Sequence, residues 1–173
     1  MKFTRVNGVV LHYELSGSRV LPLIVFSNSL GTDLRIASEA AIFGLPEVQR
    51  ALLPFAGSMA RLPQQVPHAA AMRLLLTGEP IDAPEALRIG LVNELRPAAE
   101  VLPAAMAVAE RIARNGPLAV RAIKRTVLES RGRPLVEAFA LEDAAKREVL
   151  ASADAREGPR AFVEKRAPRY EGR

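Results

Sequence analysis

Apolar and polar positions alternate at the start of the chain and take on helical spacing towards its end. Val9, Leu11 and Tyr13 alternate with Val10, His12 and Glu14. Asn7-Gly8 precedes them, a two-residue turn signal in which both positions tolerate positive φ, so Lys2 to Leu15 reads as a β-hairpin. Ser16-Gly17-Ser18 is a second turn. Leu23 to Phe26 is a continuous apolar run, typical of a strand covered on both faces, and it opens into the small-residue loop Ser27 to Gly31. Arg35 to Ser38, Ala41 to Gly44 and Leu91 to Leu95 are short strand candidates.

Helical signals dominate the rest. Leu52-Leu53-Pro54 and Pro63 bracket a short helical turn, and Pro67 to Leu76 is a helix with Gly78 just past its end. Asp82-Ala83-Pro84-Glu85 reads as a capping box for a helix that Gly90 closes. Ala98 to Arg114 places Val101, Leu102, Ala105, Val108, Ala109 and Ile112 on one stripe. Pro117 to Ser130 turns Leu118, Ala122, Ile123 and Val127 inward, and Pro134 to Ala151 does the same with Leu135, Ala138, Phe139, Ala145 and Val149. The last helix, Asp154 to Arg166, is short and basic, with too few apolar members to stand alone.

Composition narrows the class. A chain of 173 residues can bury roughly two-thirds of the surface its unfolded form exposes. A hydrophobic fraction of 49% and a mean hydropathy of +0.08 indicate a globular protein. No apolar run approaches the roughly 20 residues needed to span a bilayer, so no membrane partner is expected. Met1 to Gly8 carries no apolar signal segment. The chain has no cysteine, which excludes disulfides and thiol chemistry and fits a cytoplasmic protein. No metal-ligand spacing is present either.

The net charge of +5 is uneven, since Arg111 to Arg173 carries fifteen basic and nine acidic residues against nine and ten elsewhere. A basic C-terminal third could meet phosphates. The basic residues are spread among acids on helical faces without aromatic interleaving, so no nucleic-acid partner is expected.

Glu47 is the carboxylate that draws attention. Ile42, Phe43, Leu45 and Val48 keep it in apolar company, and Gly44 and Pro46 bend the backbone beside it. A Glu presented from an apolar turn is a candidate general acid, because desolvation disfavours its anion. The plain alternative is a solvated turn residue. No Gly-x-Ser-x-Gly occurs, and the only histidines are His12 and His68, so a Ser-His-Asp triad is not available within this chain.

Four segments carry a family resemblance. Ser38 to Val48 (SEAAIFGLPEV), Leu74 to Ala83 (LLLTGEPIDA), Glu85 to Glu94 (EALRIGLVNE) and Ala161 to Pro168 (AFVEKRAP) together resemble the second half of the crotonase superfamily, the enoyl-CoA hydratases and isomerases. The likeness runs from about Asp33 to Arg173. Before it, Val6 to Tyr13 (VNGVVLHY) and Leu23 to Arg35 (LIVFSNSLGTDLR) resemble the start of an α/β-hydrolase, most like the 3-oxoadipate enol-lactonases. Asp33-Leu34-Arg35 suits both families and marks the expected junction of a composite chain.

The implied fold is α/β: a short β-hairpin and strand of α/β-hydrolase type over residues 1–35, then a partial crotonase-like (ClpP/crotonase) helical region over 36–173, both incomplete. The implied chemistry is hydration or isomerisation of acyl-CoA thioesters, with the thioester as substrate and no separate cofactor. Such a reaction needs two backbone N–H groups at the thioester oxygen and a pair of carboxylates to move protons.

By resemblance Glu47 is the glutamate of the Phe-Gly-x-Pro-Glu motif. Phe162 and Lys165 match residues that reach the coenzyme A of a neighbouring subunit in a trimer, although a packing Phe and a solvated Lys are equally simple readings. The glycine-rich turn that carries the second oxyanion donor and the other glutamate would fall at Leu21 to Leu30, which has neither Gly nor Glu. By the hydrolase resemblance Ser29 would give an oxyanion donor, and the backbone N–H groups of Ser27 to Gly31 could form a substitute oxyanion site near Glu47. The expectation is therefore an impaired enzyme that forms homo-oligomers through its C-terminal helices. The alternatives are a non-catalytic oligomerisation or acyl-CoA-binding chain, and a lactonase-like fragment without its triad.

Overall fold

Pro and Gly divide the chain into short elements. The computed structural model describes residues 33–55 and 57–173, together with the backbone of three earlier strands: Lys2–Val6 (β1), Val9–Tyr13 (β2) and Leu23–Val25 (β3). The chain separates into two compact units. One comprises Met1 and Glu14–Ala107, and the other Lys2–Tyr13 and Val108–Arg173.

In the first unit β3 pairs in parallel with Ile42–Gly44 (β5), and β5 pairs antiparallel with the two-residue strand Ile81–Asp82 (β6). A separate parallel pair joins Ile36–Ser38 (β4) to Glu94–Arg96 (β7). Three helices belong to the same unit: Ser58–Arg61 (α1), His68–Thr77 (α2) and Ala83–Arg88 (α3). One buried cluster holds these pieces together, running from Ala37 and Phe43 through Leu45, Leu62 and Leu74 to Ile81, Ile89 and Leu91. Each fully buried leucine is worth about 1.5–3 kcal/mol relative to exposure, enough to hold strands too short to be stable alone.

Local signals set the helix limits. Asp82 caps α3 by accepting the Glu85 amide at 2.9 Å. The return half of the expected box is diverted, because the Glu85 carboxylate receives two hydrogen bonds from Arg88, at 2.6 and 2.7 Å. The strand expected at Leu91 to Leu95 starts later, at Glu94. The Leu91 and Val92 amides are both spent on the Ala86 carbonyl in the turn that closes α3, and their buried side chains serve the core from that turn.

The expected hairpin is present, with β1 antiparallel to β2 and Val6 facing Val9. The turn at Asn7-Gly8 lies outside the described residues. Helix Val101–Ala113 (α4) carries the chain from the first unit into the second, which holds Pro117–Glu129 (α5), Leu135–Leu150 (α6) and Asp154–Val163 (α7). Among the described residues no helix is long and apolar enough to cross a membrane.

The inward stripes expected on α5 and α6 need correction. Ala122 and Ala138 are buried, but Ile123 is 64% exposed, Leu135 72% and Phe139 57%. Val127 is exposed as well. The apolar stripe on each helix is wider than one neighbouring helix can cover, and only its small residues are enclosed. Helix α7 ends at Val163 rather than Arg166, because Lys165 takes a left-handed φ of 52° and turns the chain back.

Candidate active site

The Glu47 turn continues directly from the sheet. Strand β5 ends at Gly44, where a Cβ would lie only 3.2 Å from the Pro80 Cα, so the absent side chain lets the two backbones close together. Leu45 is fully buried and anchors the start of the turn. Pro46 then opens a 3-10 turn, Pro46–Arg50, at the position where a missing amide costs nothing. Ala51 closes the turn with a left-handed φ of 55°, its amide donating to the Val48 carbonyl, while the Leu52 amide donates to the Glu47 carbonyl. A non-glycine residue in that region carries backbone strain, which is often stored beside functional groups.

Glu47 itself is half-buried. Its Oε2 is shielded from solvent and has no hydrogen-bond partner among the described residues. Leu52, Leu53 and Phe55 come next and are exposed, so a carboxylate with one orphaned oxygen precedes a run of open apolar side chains. Such an oxygen can accept a proton or a hydrogen bond from a water or a bound molecule.

Arg35 immediately precedes β4. Its amide donates to Asn93 Oδ1 at 2.8 Å and its carbonyl accepts the Asn93 amide at 2.8 Å, which fastens β4 to the approach of β7. Its Nη1 donates to Gln65 Oε1 at 2.7 Å, whereas Nε is buried without a partner among the described residues. Burial lowers the guanidinium below its ordinary value.

Phe162 and Lys165 belong to the second unit and are both exposed, Phe162 by 85%. Ser29 lies outside the described residues. Beside α7 a hollow of about 690 Å³ is lined by Glu157, Arg160, Glu164 and Arg166, whose charges neutralise one another in pairs. Among the described residues no group of three or more His, Asp or Glu side chains is placed to hold a metal ion.

Two residues that the sequence does not connect with the site bear on Glu47. Gln49 Nε2 donates to the Thr77 carbonyl at 3.3 Å, and Gly78 packs against Val48 and Gln49. Thr77-Gly78 reads in sequence as a helix end. Nothing local in the chain tells that this end abuts a turn thirty positions earlier.

Residues 26–173 match the enoyl-CoA hydratase/isomerase family. The match begins upstream of the expected junction at Asp33. Enoyl-CoA hydratase EchA19 of Mycobacterium tuberculosis is 46% identical over 143 residues, which are 83% of this chain and 54% of that protein. Carnitinyl-CoA dehydratase of Proteus mirabilis is 38% identical over 152 residues, 86% of this chain and 58% of its own. Among solved structures, enoyl-CoA hydratase EchA1 of Mycobacterium marinum superposes with a TM-score of 0.80 at 46% identity, covering 83% of this chain and 57% of that one. The chain thus spans little more than half the length of the relatives it matches. With that likeness extending over sequence and fold alike, the chain belongs to the enoyl-CoA hydratase/isomerase family.

Proposed function

We propose that this chain engages acyl-CoA thioesters, that Glu47 is its acid–base carboxylate, and that its hydratase or isomerase turnover is impaired. The observation that carries the catalytic role is the buried, unpartnered Oε2 of Glu47. An unsatisfied buried acceptor costs about 1–3 kcal/mol, and a water or substrate proton arriving there relieves the cost. In hydration of a 2-enoyl thioester, the hydroxyl of water adds to the β-carbon and a proton goes to the α-carbon. Glu47 is suited to deliver that proton.

Impairment is inferred from Leu21 to Leu30, where the family resemblance calls for a glycine-rich turn and a second glutamate and the sequence has neither. Losing one oxyanion donor typically lowers kcat about 10²–10³-fold. Hydration of crotonyl-CoA by the purified protein, beside Glu47→Gln, tests the catalytic role. A weak rate is expected for the parent chain and none for the variant, and equal rates in both would sink it. Engagement of the thioester is tested by thermal unfolding with and without crotonyl-CoA, whose binding to the native state alone raises the midpoint.

The same proposal includes homo-oligomers formed through the C-terminal helices. Its support is the set of uncovered apolar side chains on α5, α6 and α7: Ile123, Val127, Leu135, Val136, Phe139 and Phe162. Light scattering decides it, since a clean monomer counts against assembly. A composite origin is also proposed, with the hydrolase-like segment ending between residue 26 and Arg35. It rests on the resemblance of Val6 to Tyr13 and Leu23 to Arg35, and on a family match that leaves the first 25 residues uncovered.

A further inference from the structure

We propose that Gly78 is a positioning residue for the Glu47 carboxylate, acting through the Val48 and Gln49 side chains packed against it. The inference rests on the reading of Glu47 as the acid–base group, but its structural half can be tested separately. Gly78 closes α2 with a φ of +65°, its amide donating to the Leu74 carbonyl at 3.2 Å. A Cβ at this position would lie 2.9 Å from Gln49 Cγ and 3.0 Å from Val48 Cγ1. Real Cβ atoms do not come closer than 3.0 Å, so Gln49 has to shift, and at 3.0 Å Val48 has to give by a few tenths of an ångström.

Gln49 is long and can swing aside. Val48 is β-branched and stiff at its first torsion, so relief there requires the 3-10 turn itself to move. Glu47 is the residue immediately before Val48 in that turn. The helix end and the turn are joined on the same side by the hydrogen bond from Gln49 Nε2 to the Thr77 carbonyl. The seat matters because Oε2 of Glu47 has no hydrogen bond among the described residues to fix its direction. Its placement is left to the backbone of the turn and to packing, and a catalytic group misplaced by about 1 Å can lose about 10²-fold in rate.

The chain supplies its own control. Gly90 also has a left-handed φ, +76°, but a Cβ there would meet nothing within 4 Å. Gly90→Ala therefore imposes the backbone strain without touching the Glu47 turn. Gly78→Asn does the reverse, since Asn tolerates the left-handed region yet brings the offending Cβ.

The experiment tracks the Glu47 carboxyl carbon by NMR in protein labelled at glutamate, the resonance being assigned by its loss in Glu47→Gln. Circular dichroism confirms folding of each variant. Gly78→Ala and Gly78→Asn are expected to move that resonance while the resonance of Glu142, an exposed residue of α6, stays, and Gly90→Ala is expected to leave it in place. Crotonyl-CoA kinetics should show kcat falling about tenfold or more in the Gly78 variants with KM little changed. A folded Gly78 variant with an unmoved Glu47 resonance overturns the proposal. If both Gly78 variants unfold, Gln49→Ala decides, because loss of the bond to Thr77 has to move the resonance if the seat is real. A moved resonance together with full activity in Glu47→Gln leaves the seat standing and removes the catalytic reading instead.

Discussion

Glu157 and Arg166 meet through two hydrogen bonds, Nη1 to Oε1 at 2.5 Å and Nη2 to Oε2 at 3.0 Å, although nine positions separate them along the chain. The pair fastens the segment after α7 back onto that helix, and the Arg169 amide adds a third bond to Glu157 Oε1 at 2.8 Å. The Arg166 guanidinium first, and the Arg169 amide second, pull the Glu157 carboxyl down from 4.5 to about 2.

A carboxyl depressed in the folded state stabilises the fold above its unfolded value and loses that contribution as pH falls towards the folded one. The window here runs from 4.5 down to about 2. Glu157→Gln is therefore expected to be less stable than the parent at pH 6, with the gap closing as pH falls through this range. Urea unfolding at a series of pH values measures it. Glu157 and Arg166 are both only partly covered, so the gap should also shrink in high salt. A gap that ignores pH would show that the pair does not act as an ion pair.

A second carboxylate ties the end of the chain down from inside. Asp154 is buried, and its Oδ1 and Oδ2 accept the amides of Glu171 and Gly172 at 2.7 and 2.9 Å. The Ala153 amide donates to the Arg173 carbonyl at 2.8 Å, so the tail lies against the start of α7. Asp154→Asn keeps the shape but turns one acceptor into a donor that faces an amide hydrogen. The expected loss is about 1–3 kcal/mol in unfolding free energy, with faster hydrogen exchange at Glu171 and Gly172. Protection unchanged at both amides would show that the tail is held by something else.

Sequence was a good guide to elements whose signals are local. The cap at Asp82, the glycines at 78 and 90 and the prolines at the starts of α2, α5 and α6 fall where the helices begin and end, because each acts through its own backbone angles or side chain. Signals that depend on a distant partner were misread or missed. Leu91 and Val92 have strand-like side chains but give their amides to Ala86, and Ile81–Asp82 is a strand only because β5 lies beside it. Ile123 and Phe139 obey helical spacing yet stay uncovered, since periodicity names a stripe and not what covers it. At the site, Glu47 could be picked out from its apolar neighbours, whereas the support from Gln49 and Gly78 required knowing that two segments about thirty residues apart meet.

Helix α2 offers the sharpest contrast between core and surface. Leu74 is 1% exposed within the cluster that joins the strands to the helices, while Leu76, two positions on, is 65% exposed. Two residues along a helix turn the side chain by about 200°, so the same residue type faces the core in one case and solvent in the other. Leu74→Ala removes buried methyl groups from a cluster hemmed in by Leu45, Leu62 and Leu91, all fully buried, which leaves little freedom to collapse into the gap. The expected cost is about 2–5 kcal/mol. Leu76→Ala should stay within about 0.5 kcal/mol, since little packing is lost with an exposed side chain and alanine favours the helix. Denaturant unfolding of the two variants side by side measures the difference. Comparable losses in both would mean that another surface covers Leu76 in solution, and the same variant unfolded over a range of protein concentrations would reveal whether that surface is a second copy of the chain.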